Sequence, residues 1–93
     1  MAQSKLKVGP PAPQILETEL GEEISLYDPT TENVVVLNTT ASDIWRLSDG
    51  ESSLDEMVRL LAAAYGVNAE QIRPEVERVI GEFQDQGLLS VNK

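Results

Sequence analysis

The feature that most constrains this chain is a single change of hydrophobic period at Leu37. Before it, Ile15–Leu20, Glu23–Tyr27 and Val34–Leu37 carry strand-type residues, with a tight turn at Gly21-Glu22 and a longer one over residues 28–33. After it, apolar residues recur about every three and a half positions. Three strands followed by helices predict an α+β fold: a three-stranded antiparallel meander with helices packed on one face, closest in architecture to a winged helix.

Three helix starts follow Leu37. Thr40-Ala41-Ser42-Asp43 has a capping-box pattern and leads into Ile44, Trp45 and Leu47, with Asp49-Gly50 closing the helix. Ser53-Leu54-Asp55-Glu56 is a second capping box, leading into Met57, Val58, Leu60 and Leu61 and stopping at Tyr65-Gly66. The third helix starts behind Asn68, carries Ile72, Val76, Val79, Ile80 and Phe83 on one stripe, and ends at Gly87. Pro74 is expected to open the main helix, with a short turn over residues 69–72 ahead of it.

The 93 residues suffice for one core. Residues 1–13, rich in Pro and Lys without periodicity, read as a flexible arm, and residues 14–93 as the domain. The longest apolar run, Leu60–Tyr65, is far too short to span a bilayer, and the N-terminus lacks the apolar core of a signal peptide, so a cytoplasmic address and no membrane partner are expected. Cysteine and histidine are both absent. That removes thiolate nucleophiles, histidine-based pairs and soft metal ligands, and neither a phosphate loop nor a calcium loop is present. A non-catalytic protein without metal or cofactor is expected. The net charge of −9, from 16 acidic and 7 basic residues, repels polyanions. Helix 3 points the same way, with Arg73 and Arg78 against Glu75, Glu77, Glu82 and Asp85. Nucleic acid is therefore a poor partner, and basic or neutral peptides are better ones.

Val34-Val35-Val36-Leu37 is apolar on both faces, whereas Ile24 and Leu26 alternate with more polar neighbours. Helices on one side of a three-stranded sheet cover only one face. Either helix 3 wraps over the second face, or the third strand is an open edge to which an extended peptide adds, its side chains meeting helix 3. The stripe of Ile72, Val76, Val79 and Phe83 reads as core, and Ile80, beside Arg73, Glu77 and Gln84, either lines a groove or widens that core. Trp45, the only tryptophan, reads as a core anchor.

The run from Val36 to Trp45 (VLNTTASDIW), then Asp49-Gly50 and Leu54–Val58, together with Leu60–Val67 and Gln86–Leu89, resembles the PqqD family, named for protein D of pyrroloquinoline quinone biosynthesis. The resemblance covers nearly everything from Ile24 onward. It implies a recognition element for ribosomally made, post-translationally modified peptides, in which the leader segment of a precursor adds as a strand to strand 3 and lies against helix 3. Carried over by position, it implies contacts from Val34, Val35, Val36 and Leu37 on the strand and from Arg73, Val76, Glu77, Ile80 and Gln84 on the helix. The implied partners are a precursor leader peptide and either a leader peptidase, as in lasso-peptide maturation, or a radical SAM modifying enzyme. A winged-helix transcription regulator and a structural subunit of a larger enzyme are the alternatives.

Overall fold

The computed structural model describes residues 6–92. Its elements are β1 (Lys7–Pro11), β2 (Leu16–Leu20), β3 (Glu23–Asp28), β4 (Asn33–Leu37), α1 (Thr39–Leu47), α2 (Leu54–Tyr65), α3 (Ala69–Asp85) and β5 (Leu89–Asn92). β2, β3 and β4 form the expected antiparallel meander, and β1 pairs with β5 in a separate two-stranded sheet. The fold is α+β and winged-helix-like.

Pairing in the meander sets two faces. Leu26 stands opposite Val35 and Ile24 opposite Leu37, while Tyr27 pairs with Val34 and Ser25 with Val36. The first set turns inward: Ile24, Leu26 and Leu37 are buried. There they join Ile44 and Trp45 of α1, Met57, Val58 and Leu61 of α2, and the whole stripe of Ile72, Val76, Val79, Ile80 and Phe83 on α3. Each such side chain contributes about 1.5–3 kcal/mol on burial. Trp45 meets Phe83 edge-on, ring centroids 5.3 Å apart at 85°, which locks α1 against α3. Its buried indole N–H has no hydrogen-bond partner among the described residues, a cost the aromatic packing offsets.

Ser42 fixes the sheet to the helices. Its Oγ accepts from Ile24 N–H at 2.9 Å and donates to Leu37 C=O at 3.3 Å, so one buried hydroxyl ties the first turn of α1 to both β3 and the end of β4. The capping box at Ser53 forms as expected, with Glu56 N–H on Ser53 Oγ at 3.1 Å and Ser53 N–H on Glu56 Oε1 at 2.8 Å. Gly66 ends α2 at φ 68, the left-handed conformation expected of a helix stop.

Three sequence-based expectations need correction, and one open alternative is decided. The arm assigned to residues 1–13 contains β1: Val8 is 1% exposed, its N–H donates to Ser52 C=O at 3.1 Å, and its C=O accepts from Gly50 N–H at 2.8 Å. Pro10 and Pro11 lack N–H groups and hid this strand. They sit where its register with β5 shifts, so the pairing does without their missing donors. Gly9, just ahead of Pro10, has φ +94, and a Cβ there would lie 2.3 Å from Ser48 O. Residues 1–5 of that arm lie outside the described residues. Second, α1 is capped by Asn38 rather than Thr40, because Asn38 Oδ1 accepts Ala41 N–H at 2.8 Å. Third, α3 runs unbroken through Pro74, held on both sides by buried Ile72 and Val76. Of the two alternatives for the outer sheet face, α3 does not wrap over it. Val34 and Val36 there are 62% and 58% exposed.

Candidate functional site

A three-stranded sheet has two edges, and these two differ in chemistry. β2 reads LETEL, and Glu19 on it is tied to Arg46 of α1 at 2.8 Å. Glutamates along an edge strand oppose pairing with another chain. β4 reads NVVVL and carries no charge; it pairs with β3 on one side, and among the described residues no strand lies on the other. Because N–H and C=O groups alternate in direction along a strand, β4 presents a row of backbone donors and acceptors at that open side. Val35 packs partly against the core, and Val34 and Val36 project outward.

β4 leads directly into α1, and a cavity of about 300 Å³ opens beside the first turn of that helix, lined by Thr40, Tyr65, Val67, Gln71, Ile72 and Glu75. It joins the start of α1, the end of α2 and the first two turns of α3. Tyr65 is held there by its hydroxyl, which donates to the Asp43 carboxylate on α1. Burial, and then the Asp43 carboxylate, push the Tyr65 phenol up to about 12, so it remains a neutral donor across the physiological range. Glu75 is met by Arg78 Nη2 at 2.7 Å, and Arg78 Nη1 also reaches Glu82 at 2.8 Å.

The helix residues implied by resemblance divide. Val76 and Ile80 are 0% and 5% exposed, so their side chains serve the core. Arg73 is half-buried and its guanidinium pairs with Asp55 in the first turn of α2, an attachment that, with Arg59 beyond it, holds the Asp55 carboxyl below its usual range. Glu77 and Gln84 are exposed and lie four and eleven residues beyond Arg73, on its meridian of the helix. That line therefore turns toward α2. The side of α3 that borders the cavity is the Gln71–Ile72–Glu75 side, which sequence spacing alone did not single out. A signal was available in the Tyr65-Gly66-Val67 stop, because an aromatic and a valine at a helix terminus are exposed unless something packs there: Tyr65 is 38% and Val67 41% exposed.

Among the described residues no cluster of three or more acidic side chains could hold a metal ion, and no helix is long and apolar enough to cross a membrane.

The structure is a small winged-helix-like α+β domain whose meander has one uncharged edge strand, β4. A family model described as coenzyme PQQ synthesis protein D (PqqD) matches residues 23–89, most of the chain, and the protein belongs to the PqqD family. No curated protein sequence matches it. Two solved structures share the fold. One, described as TbiB1 in complex with the TbiA(beta) leader peptide, superposes with a TM-score of 0.79 at 19% identity, over 86% of this chain and 93% of that one. The other, a lasso peptide synthetase B1 complexed with the leader peptide, has a TM-score of 0.73 at 21% identity, over 92% and 98%.

Proposed function

We propose that this domain captures the leader segment of a ribosomally made precursor peptide by adding it as a strand to the open edge of β4, and presents it to a modifying enzyme or leader peptidase without performing chemistry itself. The observation that carries the reading is the contrast between the two sheet edges. β2 bears Glu17 and Glu19 between its exposed Leu16 and Leu20, while β4 is uncharged, has no strand on its other side among the described residues, and is outwardly apolar through Val34 and Val36. Strand addition draws its affinity from main-chain hydrogen bonds and its specificity from alternate side chains, which suits an edge of this kind. Further support comes from membership of the PqqD family and from two relatives of the same fold whose structures are described as leader-peptide complexes. Delivery then works by raising the local concentration of the precursor at its enzyme. Val34, Val35, Val36 and Leu37 supply the docking strand. On the helical side, Gln71, Ile72 and Glu75 are better placed to meet the peptide than the Arg73, Glu77 and Gln84 line, and Val76 and Ile80 support the groove from within.

The test is a titration of the purified protein with synthetic leader segments of ribosomally made precursor peptides, repeated with proline placed singly at Val34, Val35 and Val36. Strand alternation predicts two classes. Positions whose amide points to the open edge lose peptide binding and keep the fold, whereas positions whose amide pairs with β3 lose the fold. If no folded proline variant loses binding, strand addition at β4 is wrong.

A further inference from the structure

We propose that the cavity at the end of β4 receives a basic side chain, lysine or arginine, of the bound peptide; this rests on the strand-addition reading. Thr40 in the cavity lining is three residues beyond Leu37, at most about 11 Å along the chain, so the cavity is within reach of a chain that pairs with β4 and continues past the end of the strand. The walls and the rim of the cavity differ in kind. Val67, Ile72 and the ring of Tyr65 supply apolar surface, while Glu75 and Thr40 supply oxygen acceptors, one of them a carboxylate; Gln71 Oε1 already accepts Asn68 N–H at 2.9 Å. An apolar guest would cover the walls and strip water from those acceptors without replacing it. An acidic guest would meet Glu75, the Asp43 carboxylate behind Tyr65 and a chain of net charge −9. A long basic side chain satisfies both parts. Its methylene stem lies along the apolar wall while its head reaches the carboxylate, and an aromatic neighbour favours a cation.

Glu75 is at present engaged by Arg78, but this pair is exposed on both sides, 55% and 42%, and is of the weak kind that a second cation can displace. Arg78 is also held by Glu82 at 2.8 Å, so it keeps a partner when Glu75 turns to the guest. Glu75 is thus a specificity-determining residue, and Arg78 its competitor.

A random peptide display library, panned on the full-length protein and counter-selected on the folded β4 proline variant that loses leader binding, isolates the peptides that need the β4 edge. We expect Lys or Arg to recur at one register position among them. Replacing that lysine by norleucine should weaken binding to the wild-type protein about fivefold, the scale of one exposed ion pair, and should change little against Glu75→Gln. Arg78→Gln, which frees Glu75, should tighten the lysine peptide and leave the norleucine peptide unchanged. Enrichment of Leu, Phe, Tyr or Pro at that position, or an undiminished norleucine penalty against Glu75→Gln, would overturn the cation assignment and leave strand addition standing. Finding no peptide that depends on β4 would overturn both.

Discussion

At the scale of single residues, the site depends on a few buried or strained positions that hold it from behind. Ser42 is the clearest: Ser42→Ala leaves the buried Ile24 N–H without an acceptor and releases Leu37 C=O. The expected loss is about 1–3 kcal/mol in urea unfolding, together with faster amide exchange at the end of β4. Gly9 is the second. A methyl group there meets Ser48 O at 2.3 Å and must also take up φ +94, so Gly9→Ala should cost on the order of 2 kcal/mol or more, read as a lowered unfolding midpoint. A substitution at an ordinary exposed position such as Glu70 should stay within about 0.5 kcal/mol and serves as the control.

At the scale of elements, α3 carries the most informative discrepancy. Pro74 removes one helical donor, and an interior proline ordinarily costs about 3 kcal/mol, yet the helix continues because Ile72 and Val76 bury on either side of it. Pro74→Ala should therefore stabilise the domain, by about 1–2 kcal/mol once the greater freedom of the unfolded alanine chain is deducted, checked by thermal or urea unfolding. The meander, all three helices and the outward apolar face of β4 were legible in the sequence, because period, caps and turns are local signals. β1 and β5 were not. Their pairing joins the two ends of the chain, and the prolines that disguise β1 contribute no donor to it. The uncharged, apolar edge of β4 was legible in Val34–Leu37, but the phase of α3 was not. Spacing fixes which residues share a meridian, and only packing against α2, through Arg73 and Asp55, decides which way that meridian faces.

For the whole molecule, the two-stranded sheet makes the N-terminal segment part of the fold. Deleting residues 1–13 takes Val8 from the core and leaves β5 without its strand partner, so the truncated chain should be largely unfolded by circular dichroism, where a flexible arm would be removed without effect. Acid should act through three carboxylates held below their usual range: Asp49 chiefly by the backbone N–H of Glu51, Asp55 by Arg73, and Glu56 by the backbone N–H of Ser53. Each has a lower value folded than unfolded, so its stabilisation is present at neutral pH and is lost as pH falls through the carboxylate range and below. Asp55→Asn should flatten that acid limb and leave stability less dependent on pH below about 4.

The central claim is that a peptide adds to β4 and not to β2, and amide hydrogen exchange with and without a bound leader peptide tests it most directly. The account predicts slowed exchange within residues 33–37 and no change within residues 16–20, since the charged β2 edge stays free. Protection of β2 with β4 unchanged, or protection confined to α3, would contradict it.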